Sequence, residues 1–286
     1  MMEAPFRLIQ PWTRSTSVVF ASPHSGRRYP RALLDRSVLD ERAIRSSEDA
    51  FIDLLFDAAP RFGAPLLAAS APRAFVDLNR ACDELDPALI EGVRRNSHNP
   101  RISSGLGVIP RVVANGRAIY RGKLTLEEAQ ARLDGVWRPY HRNLQSLLDD
   151  SRHQFGEAIL IDCHSMPHEA VENLSPAGGL RPQVVLGDRF GAAAAADIVD
   201  RVEAAFTSAG LRVVRNAPFA GAYITQHYGR PSRRQHAIQI ELDRALYMDE
   251  SLIRPNADFS AVKRLLDGVV ADIAAIGSAE LPLAAE

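Results

Sequence analysis

Residues 158–167 read Ala158-Ile159-Leu160-Ile161-Asp162-Cys163-His164-Ser165-Met166-Pro167. Four apolar residues followed by a polar cluster and a proline predict a short buried strand that ends in a turn. In a sheet covered by helices on both faces, ligand sites gather beyond the carboxyl ends of the strands. We therefore expect His164 at the lip of a sheet, with Asp162 on the same side of the strand, where an imidazole can hold a metal or move a proton. A core histidine tied to a neighbouring carboxylate is the simpler interpretation of this stretch taken alone.

A second histidine occurs in the same kind of sequence. Residues 17–21 predict another buried strand, and it runs into a turn of small residues that contains His24. Between the two histidines, an amphipathic helix predicted over residues 47–61 begins with Glu48 and Asp49. Acidic residues there complement the helix dipole, but two histidines and one carboxylate with a fourth position open for water are also a catalytic zinc arrangement. The residues alone do not choose between Glu48 and Asp49.

Further strands and helices alternate along the chain. We predict strands over 65–69, 74–77, 183–188, 212–215 and 237–242, and helices over 125–155 (interrupted near Pro139), 192–209 and 258–276. Residues 220–229 are predicted to be a loop, and residues 83–118 an irregular excursion that lies near the site, as a lid or binding loop does. This alternation indicates one α/β domain over residues 1–286.

Two more polar motifs follow predicted strands. Asn79 and Arg80 come after the strand at 74–77, with Arg73 just upstream, and a guanidinium there is suited to grip a carboxylate. Glu241 lies near the end of an apolar strand, where an unpaired carboxylate is costly to bury, which favours a role as a general base. Together with a metal, these residue types are suited to hydrolysing an amide beside a carboxylic acid.

The composition excludes several classes of function. The 286 residues carry a formal net charge of −1, with a pI near 6.7, so nothing attracts nucleic acid or an anionic membrane globally. The two cysteines have no C-x-x-C spacing, the start of the chain has no signal-peptide pattern, and no apolar run approaches the ~18 residues of a membrane span. We therefore expect a cytoplasmic protein with a small-molecule substrate, no nucleic-acid or membrane partner, and a monomeric or small homo-oligomeric state.

Several of these motifs occur in the order typical of one family. The chain from about residue 17 to residue 250 resembles the N-formylglutamate amidohydrolases in the segments 22–26, 48–49, 73–80, 162–165, 221–229 and 239–250. The resemblance implies a phosphorylase/hydrolase-like fold of the zinc carboxypeptidase and aspartoacylase kind, with a mixed, mostly parallel sheet flanked by helices. It also implies zinc-dependent cleavage of N-formyl-L-glutamate or a related N-acyl amino acid to the free amino acid and a carboxylate. A carboxypeptidase-like hydrolase of small peptides or peptidoglycan fragments, and a non-catalytic metal- or ligand-binding homologue, are the alternatives.

The resemblance also implies a role for each matching residue. One Zn²⁺ per chain is expected on three ligands, with one general base and a group of side chains that bind the substrate. The expected metal ligands are His24, Asp49 and His164, the expected base is Glu241, and the expected substrate-binding residues are Asn79, Arg80, Arg73, Thr225 and His227.

Overall fold

The strands of the computed structural model, which describes residues 4–94, 99–174 and 181–278, form one seven-stranded sheet and a small two-stranded one. The seven-stranded sheet has the order β1-β3-β2-β4-β7-β5-β6. All neighbouring strands in it are parallel except β1 with β3 and β5 with β7. The predicted mixed, mostly parallel sheet is therefore confirmed. The strands are β1 Phe6–Ile9, β2 Val18–Ser22, β3 Leu66–Ala69, β4 Ala158–Met166, β5 Val184–Gly187, β6 Val213–Arg215 and β7 Gln235–Asp243, and the small sheet pairs β8 Met248–Asp249 with β9 Arg254–Pro255.

Helices lie on both faces of the sheet. They are α1 Arg31–Leu34, α2 Glu41–Ile44, α3 Ile52–Leu55, α4 Pro100–Ser103, α5 Leu126–Arg132, α6 Arg138–Phe155, α7 Ala196–Ser208, α8 Tyr223–Tyr228 and α9 Phe259–Ile276. Short 3₁₀ turns occupy Ala59–Phe62, Ala114–Gly116, His168–Leu174, Pro231–Arg233 and Arg244–Leu246. The predicted long helix over 125–155 is present as α5 and α6, joined by a π-helical turn, Leu133–Trp137, directly before Pro139. Because proline has no backbone N–H to donate, the interruption falls where it was expected.

The central strand β4 separates two hydrophobic cores. Ile159 and Ile161 point to one face and pack with the apolar sides of α7 and α9, while Leu160 points to the other face and packs with α6. All nine residues of β4 are buried, and all nine of β7 beside it are buried as well. Burial on both faces explains why the first half of β4 is a continuous apolar run rather than an alternating one.

On the α6 face, polar side chains replace apolar ones toward the carboxyl ends of β4 and β7. Along β4, Leu160 is followed two and four residues later by Asp162 and His164, which share its face. The parallel register places Asp162 beside Gln239 and His164 beside Glu241. Four polar side chains therefore lie together on one face of the sheet, at its carboxyl edge.

Three predicted elements are wrong. The helix over 47–61 is reduced to the four residues of α3 and a 3₁₀ turn at Ala59–Phe62; Phe51 has a left-handed backbone (φ 68°), which prevents the helix from starting before Ile52. Residues 74–77 form no strand; the backbone N–H groups of Phe75 and Val76 instead fold back onto the carbonyl oxygen of Pro72. Residues 220–229 contain the helix α8 rather than only a loop. The antiparallel edge strand β1 was not predicted.

The excursion at residues 83–118 contains little regular structure. Its described part holds only α4 and one 3₁₀ turn, and residues 95–98 lie outside the described part of the chain. The backbone N–H of Asp77 donates to the carbonyl oxygen of Val108, which ties the excursion to the segment that carries Asn79 and Arg80. This contact brings the excursion against the carboxyl edge of the sheet.

Candidate metal centre and substrate cavity

His24, Asp49 and His164 converge at the carboxyl edge of the sheet. His24 lies in the turn after β2, Asp49 lies just before α3, and His164 is in β4 itself rather than in the turn after it. One metal-ligating atom from each of the three residues lies within 4.8 Å of the others, and all three side chains are buried. The backbone N–H of Asp49 donates to the carbonyl oxygen of His24 at 3.0 Å, which fixes the two loops to each other.

Both imidazoles direct their Nδ1 atoms toward Asp49. Nδ1 of His164 lies 2.8 Å from Oδ2 of Asp49, and Nδ1 of His24 lies 3.5 Å from the same oxygen. On the outer side, Nε2 of His24 is 2.7 Å from Oδ1 of Asp77, and Nε2 of His164 is 3.0 Å from Oδ2 of Asp162. A carboxylate oxygen only accepts hydrogen bonds, so each Nε2 donates to its outer carboxylate; with a metal bound, each Nδ1 would lose its proton to the site and direct its lone pair inward.

This donor set fits a zinc ion. Zinc bonds to histidine nitrogen and carboxylate oxygen are about 2.0–2.2 Å long, which places the ligand atoms of a tetrahedral site roughly 3.4 Å apart. The two measured separations from Asp49 Oδ2, 2.8 and 3.5 Å, bracket that value. Metal-bound histidines usually donate their other N–H to a carboxylate, and Asp77 and Asp162 are in that position. Asp49 therefore completes the set, whereas Glu48 faces away and accepts hydrogen bonds from Tyr29 and Arg45.

The electrostatics of the cluster favour negative charge on Asp49. Burial alone would raise its pKa, but hydrogen bonds from His164 and His24 outweigh burial and hold the pKa well below its usual range. Burial likewise would lower the pKa of His164, and the charge of Asp162 overrides it and raises the pKa well above the ordinary value. A cation bound between the histidines would displace that proton and find one ionised carboxylate already in place. Asp49 is held from its other side by Arg244, whose guanidinium lies 3.1 Å from Oδ1.

Glu241 is a further buried carboxylate of this edge, and a neutral amide is its hydrogen-bond partner. Burial raises its pKa to about 7, against the opposing positive charge of His164. Its Oε1 accepts a hydrogen bond of 2.8 Å from the amide of Gln239, two residues earlier on the same face of β7. A carboxylate with a pKa near neutrality can both accept and return a proton at physiological pH, which is the property a general base needs.

A cavity of about 650 Å³ opens over these residues. Residues between Arg101 and Gly116, together with residues 218–222, form much of its wall. The floor is formed by His24, Asp49, His164, Gln239 and Glu241, and four arginines line the cavity, namely Arg73, Arg80, Arg101 and Arg244.

The Asn79-Arg80 pair is organised by the surrounding protein. Both ends of the Asn79 amide are engaged, since Oδ1 accepts from the N–H of Ile224 at 2.7 Å and Nδ2 lies 3.2 Å from Nε2 of His164. The guanidinium of Arg80 is buried and donates to the carbonyl oxygens of Asn79 and Leu106. The backbone carbonyl of Arg80 accepts the indole N–H of Trp137 at 2.9 Å. Arg80 therefore presents a fixed charge to the cavity, and Asn79 links the start of α8 to the histidine cluster.

Not every residue predicted for the site lies in it. Arg73 lines the cavity and donates to Asp77, but Thr225 and His227 on α8 do not line it. The hydroxyl of Thr225 donates to the carbonyl oxygen of Ala222, and the exposed ring of His227 stacks on Tyr223. Gln239, Arg244, Arg101 and the outer partner Asp77 were given no site role from the sequence, whereas Asp162 was placed on the side of His164 without a role at the metal. The period of two along a strand is the signal for Asp162 and Gln239, since it places them on the faces of His164 and Glu241.

The fold and the site together define a class. A buried His–Asp–His cluster at the carboxyl edge of an α/β sheet, with a buried glutamate beside it and a cationic cavity above it, is typical of metal-dependent hydrolases.

Comparison with known proteins identifies the family within this class. The model of the family N-formylglutamate amidohydrolase matches residues 16–248. N-formylglutamate deformylases from Pseudomonas aeruginosa and Pseudomonas putida are 34% and 33% identical over 237 residues, which is 82% of this chain and 82% of each relative. The crystal structure of N-formylglutamate amidohydrolase from Ralstonia eutropha JMP134 has a TM-score of 0.89 at 35% identity, covering 96% of this chain and 99% of that one. The chain belongs to the N-formylglutamate amidohydrolase family.

The same fold extends to a more distant protein. A gene product of Agrobacterium tumefaciens is 15% identical with a TM-score of 0.62, covering 96% of both chains, which shows a shared fold and no more. Within residues 4–94, 99–174 and 181–278, no helix is long and apolar enough to cross a membrane. Both cysteines, Cys82 and Cys163, are free thiols.

Proposed function

We propose that this chain is a zinc-dependent amidohydrolase that cleaves N-formyl-L-glutamate to formate and L-glutamate. The observation that carries the proposal is the convergence of His24, Asp49 and His164 beside Glu241. The names of the similar proteins from Pseudomonas and Ralstonia support the substrate. The proposal includes one Zn²⁺ per chain on these three ligands.

Glu241 is the proposed general base. A Zn²⁺ ion held by His24, Asp49 and His164 would polarise the formyl carbonyl and acidify a water molecule. Glu241 accepts a proton from the water that attacks the formyl carbon. It returns this proton to the amide nitrogen as the C–N bond breaks, so that L-glutamate leaves as the free amine. The hydrogen bond from Gln239 orients the carboxylate of Glu241 for both transfers.

Arg80 is the proposed partner of the substrate's α-carboxylate. Its guanidinium is held rigidly by the carbonyl oxygens of Asn79 and Leu106 and faces the cavity. Asn79 contributes by holding the start of α8 and the ring of His164 in place. Binding the α-carboxylate there restricts where the formyl group lies, which converts binding energy into orientation.

The test combines metal analysis with one variant. The purified protein is expected to contain about one zinc per chain, to lose N-formyl-L-glutamate hydrolysis on treatment with a chelator, and to regain it when Zn²⁺ is added back. Glu241→Gln preserves size and hydrogen bonding, so it should retain zinc while kcat falls roughly 10²- to 10⁴-fold. Full activity in metal-free protein, or in Glu241→Gln, would refute the mechanism.

A substrate panel tests the chemistry separately from the substrate. N-formyl and N-acetyl amino acids, together with simple dipeptides, are compared by kcat/KM with the zinc-loaded protein. N-formyl-L-glutamate is expected to be hydrolysed best. Faster turnover of dipeptides would favour the carboxypeptidase-like alternative, and zinc binding without turnover of any panel member would favour a non-catalytic homologue.

A further inference from the structure

The four arginines of the cavity are unequally neutralised. Arg73 donates to Asp77 at 2.9 Å, and Arg244 donates to Asp49 at 3.1 Å. Arg80 forms no ion pair within residues 4–94, 99–174 and 181–278, because its guanidinium contacts only carbonyl oxygens there. Arg73 and Arg244 thus have a carboxylate partner, whereas Arg80 has none within these ranges.

Arg101 is the second cation of the cavity without a partner. It lies on α4, its side chain is exposed, and within the described ranges its guanidinium has neither an ion pair nor a hydrogen bond. Its backbone is held, since the N–H donates to the side chain of Asn99 at the start of α4 and the carbonyl oxygen accepts from the N–H of Leu106 at 2.8 Å. A side chain with no structural partner that nevertheless faces a cavity is available to a ligand.

Arg80 and Arg101 act on each other through their charge. Burial is the largest influence lowering the pKa of Arg80, the charge of Asp77 opposes it, and the charges of Arg73 and Arg101 lower the pKa further. Of the five N–H groups of the Arg80 guanidinium, two are used by the protein, which leaves three for a ligand. Two like charges that face one cavity without counter-ions favour a ligand that brings two negative charges.

The order of the two arginines, from the cluster outward, corresponds to the order of the two carboxylates of an acylated acidic amino acid. Arg80 follows Asn79, which contacts His164, so Arg80 is the inner cation. Arg101 is exposed, and its segment reaches Arg80 through the carbonyl oxygen of Leu106, so Arg101 is the outer one. In N-acylglutamate the α-carboxylate is next to the scissile nitrogen, and the side-chain carboxylate lies two methylenes further away.

We propose that Arg101 binds the side-chain carboxylate of the substrate and makes the site selective for N-acyl derivatives of dicarboxylic amino acids. This inference rests on the proposed function for the position of the scissile amide at the metal cluster. It assigns selectivity to a residue of the excursion at 83–118 and leaves the chemistry to the cluster on the sheet.

The kinetic test compares two substrates that differ only in charge. N-formyl-L-glutamine has nearly the shape of N-formyl-L-glutamate but a neutral side chain. For Arg101→Gln, kcat/KM with N-formyl-L-glutamate should fall roughly 10- to 100-fold, mainly through KM, since a charge-assisted hydrogen bond is lost. The same variant should change N-formyl-L-glutamine hydrolysis less than about threefold, and Arg101→Lys should keep part of the preference for glutamate.

A matched control lies on the same excursion. Arg117 is exposed and does not line the cavity, so Arg117→Gln removes the same charge from the same segment without touching the site. Arg117→Gln should leave kcat/KM for both substrates unchanged. An equal loss for both substrates in Arg101→Gln, or an unchanged preference between them, would overturn the proposal, as would a glutamate-specific loss in Arg117→Gln.

A binding measurement separates this inference from the proposed reaction. Titration calorimetry on Glu241→Gln protein measures affinity for the two formylated amino acids without turnover. Adding Arg101→Gln should weaken binding of N-formyl-L-glutamate selectively. If the wild-type protein fails to hydrolyse N-formyl-L-glutamate, the proposed function is wrong, and the binding comparison alone decides whether Arg101 reads the side-chain charge.

Discussion

Asp77 offers a sharp test of how the protein supports its metal site. Asp77→Asn removes the charge that faces Nε2 of His24 at 2.7 Å and keeps the shape of the side chain. The carboxylate makes the imidazole a better ligand, and loss of such an outer partner typically weakens metal binding 10- to 100-fold, or about 1.4–2.7 kcal/mol. We therefore expect zinc affinity to fall by roughly that factor, measured at neutral pH by competition with a chromophoric chelator.

The chain contains a closely matched control for this variant. Asp86, like Asp77, is buried, accepts a 2.9 Å hydrogen bond from the Nε of an arginine (Arg111 for Asp86, Arg73 for Asp77), and accepts a 2.8 Å bond from the backbone N–H two residues later. The difference is that Asp77 also faces His24. Asp86→Asn should therefore cost similar unfolding free energy, on the order of 1–3 kcal/mol, without changing zinc affinity.

The two measurements together decide the interpretation. Urea unfolding of zinc-free protein gives the stability cost of each variant, and chelator competition gives the affinity. The reasoning is refuted if Asp77→Asn binds zinc as tightly as the wild type, or if Asp86→Asn weakens zinc binding by the same factor.

Two further predictions concern stability. Burial lowers the pKa of His141 to about 3, while the unfolded chain titrates near 6.5, so the unfolded state binds a proton first and stability falls as pH drops from about 6.5 toward 3. Between pH 6.5 and 4.5 this amounts to about 2.3 kcal/mol, so urea unfolding should show that much less acid sensitivity in His141→Gln, and an equal loss in both proteins would contradict the assignment. Gly26→Ala would place a Cβ 2.0 Å from the backbone oxygen of Ala71, and we expect a cost of about 2–4 kcal/mol, or failure to fold. As a control, Gly135→Ala has open space around the added methyl group, and its unfolding free energy in urea should be unchanged or slightly higher.

The elements predicted correctly from the sequence are those with long or strongly patterned apolar segments. β4 and β7 are flanked by packing on both faces, and α6 and α9 carry continuous apolar stripes, so local pattern and tertiary environment agree. The same agreement made His164 and Glu241 recognisable, because a polar residue at the end of a buried strand departs from the pattern around it.

The elements and site residues that were not predicted are those whose structure depends on a single backbone conformation or on a contact distant in sequence. The apolar spacing after Asp49 is helical, but the left-handed conformation of Phe51 keeps residues 47–51 out of the helix, and nothing in the spacing reveals it. Asp77 and Arg244 became recognisable only from their contacts, since their partners His24 and Asp49 are far away in sequence. The position of Arg101 likewise depends on how the irregular excursion docks on Arg80, which periodicity does not encode.

The hydrogen bond between Trp137 and the backbone of Arg80 has a practical consequence. The chain has two tryptophans, and the other, Trp12, is fully exposed, so Trp12→Phe leaves one indole that is buried and joined directly to the proposed carboxylate-binding residue. In that background, adding N-formyl-L-glutamate to Glu241→Gln protein should alter the intensity or wavelength of the remaining emission in a saturable manner. Occupancy of the cavity can then be followed optically, without turnover, a coupled enzyme or an attached dye.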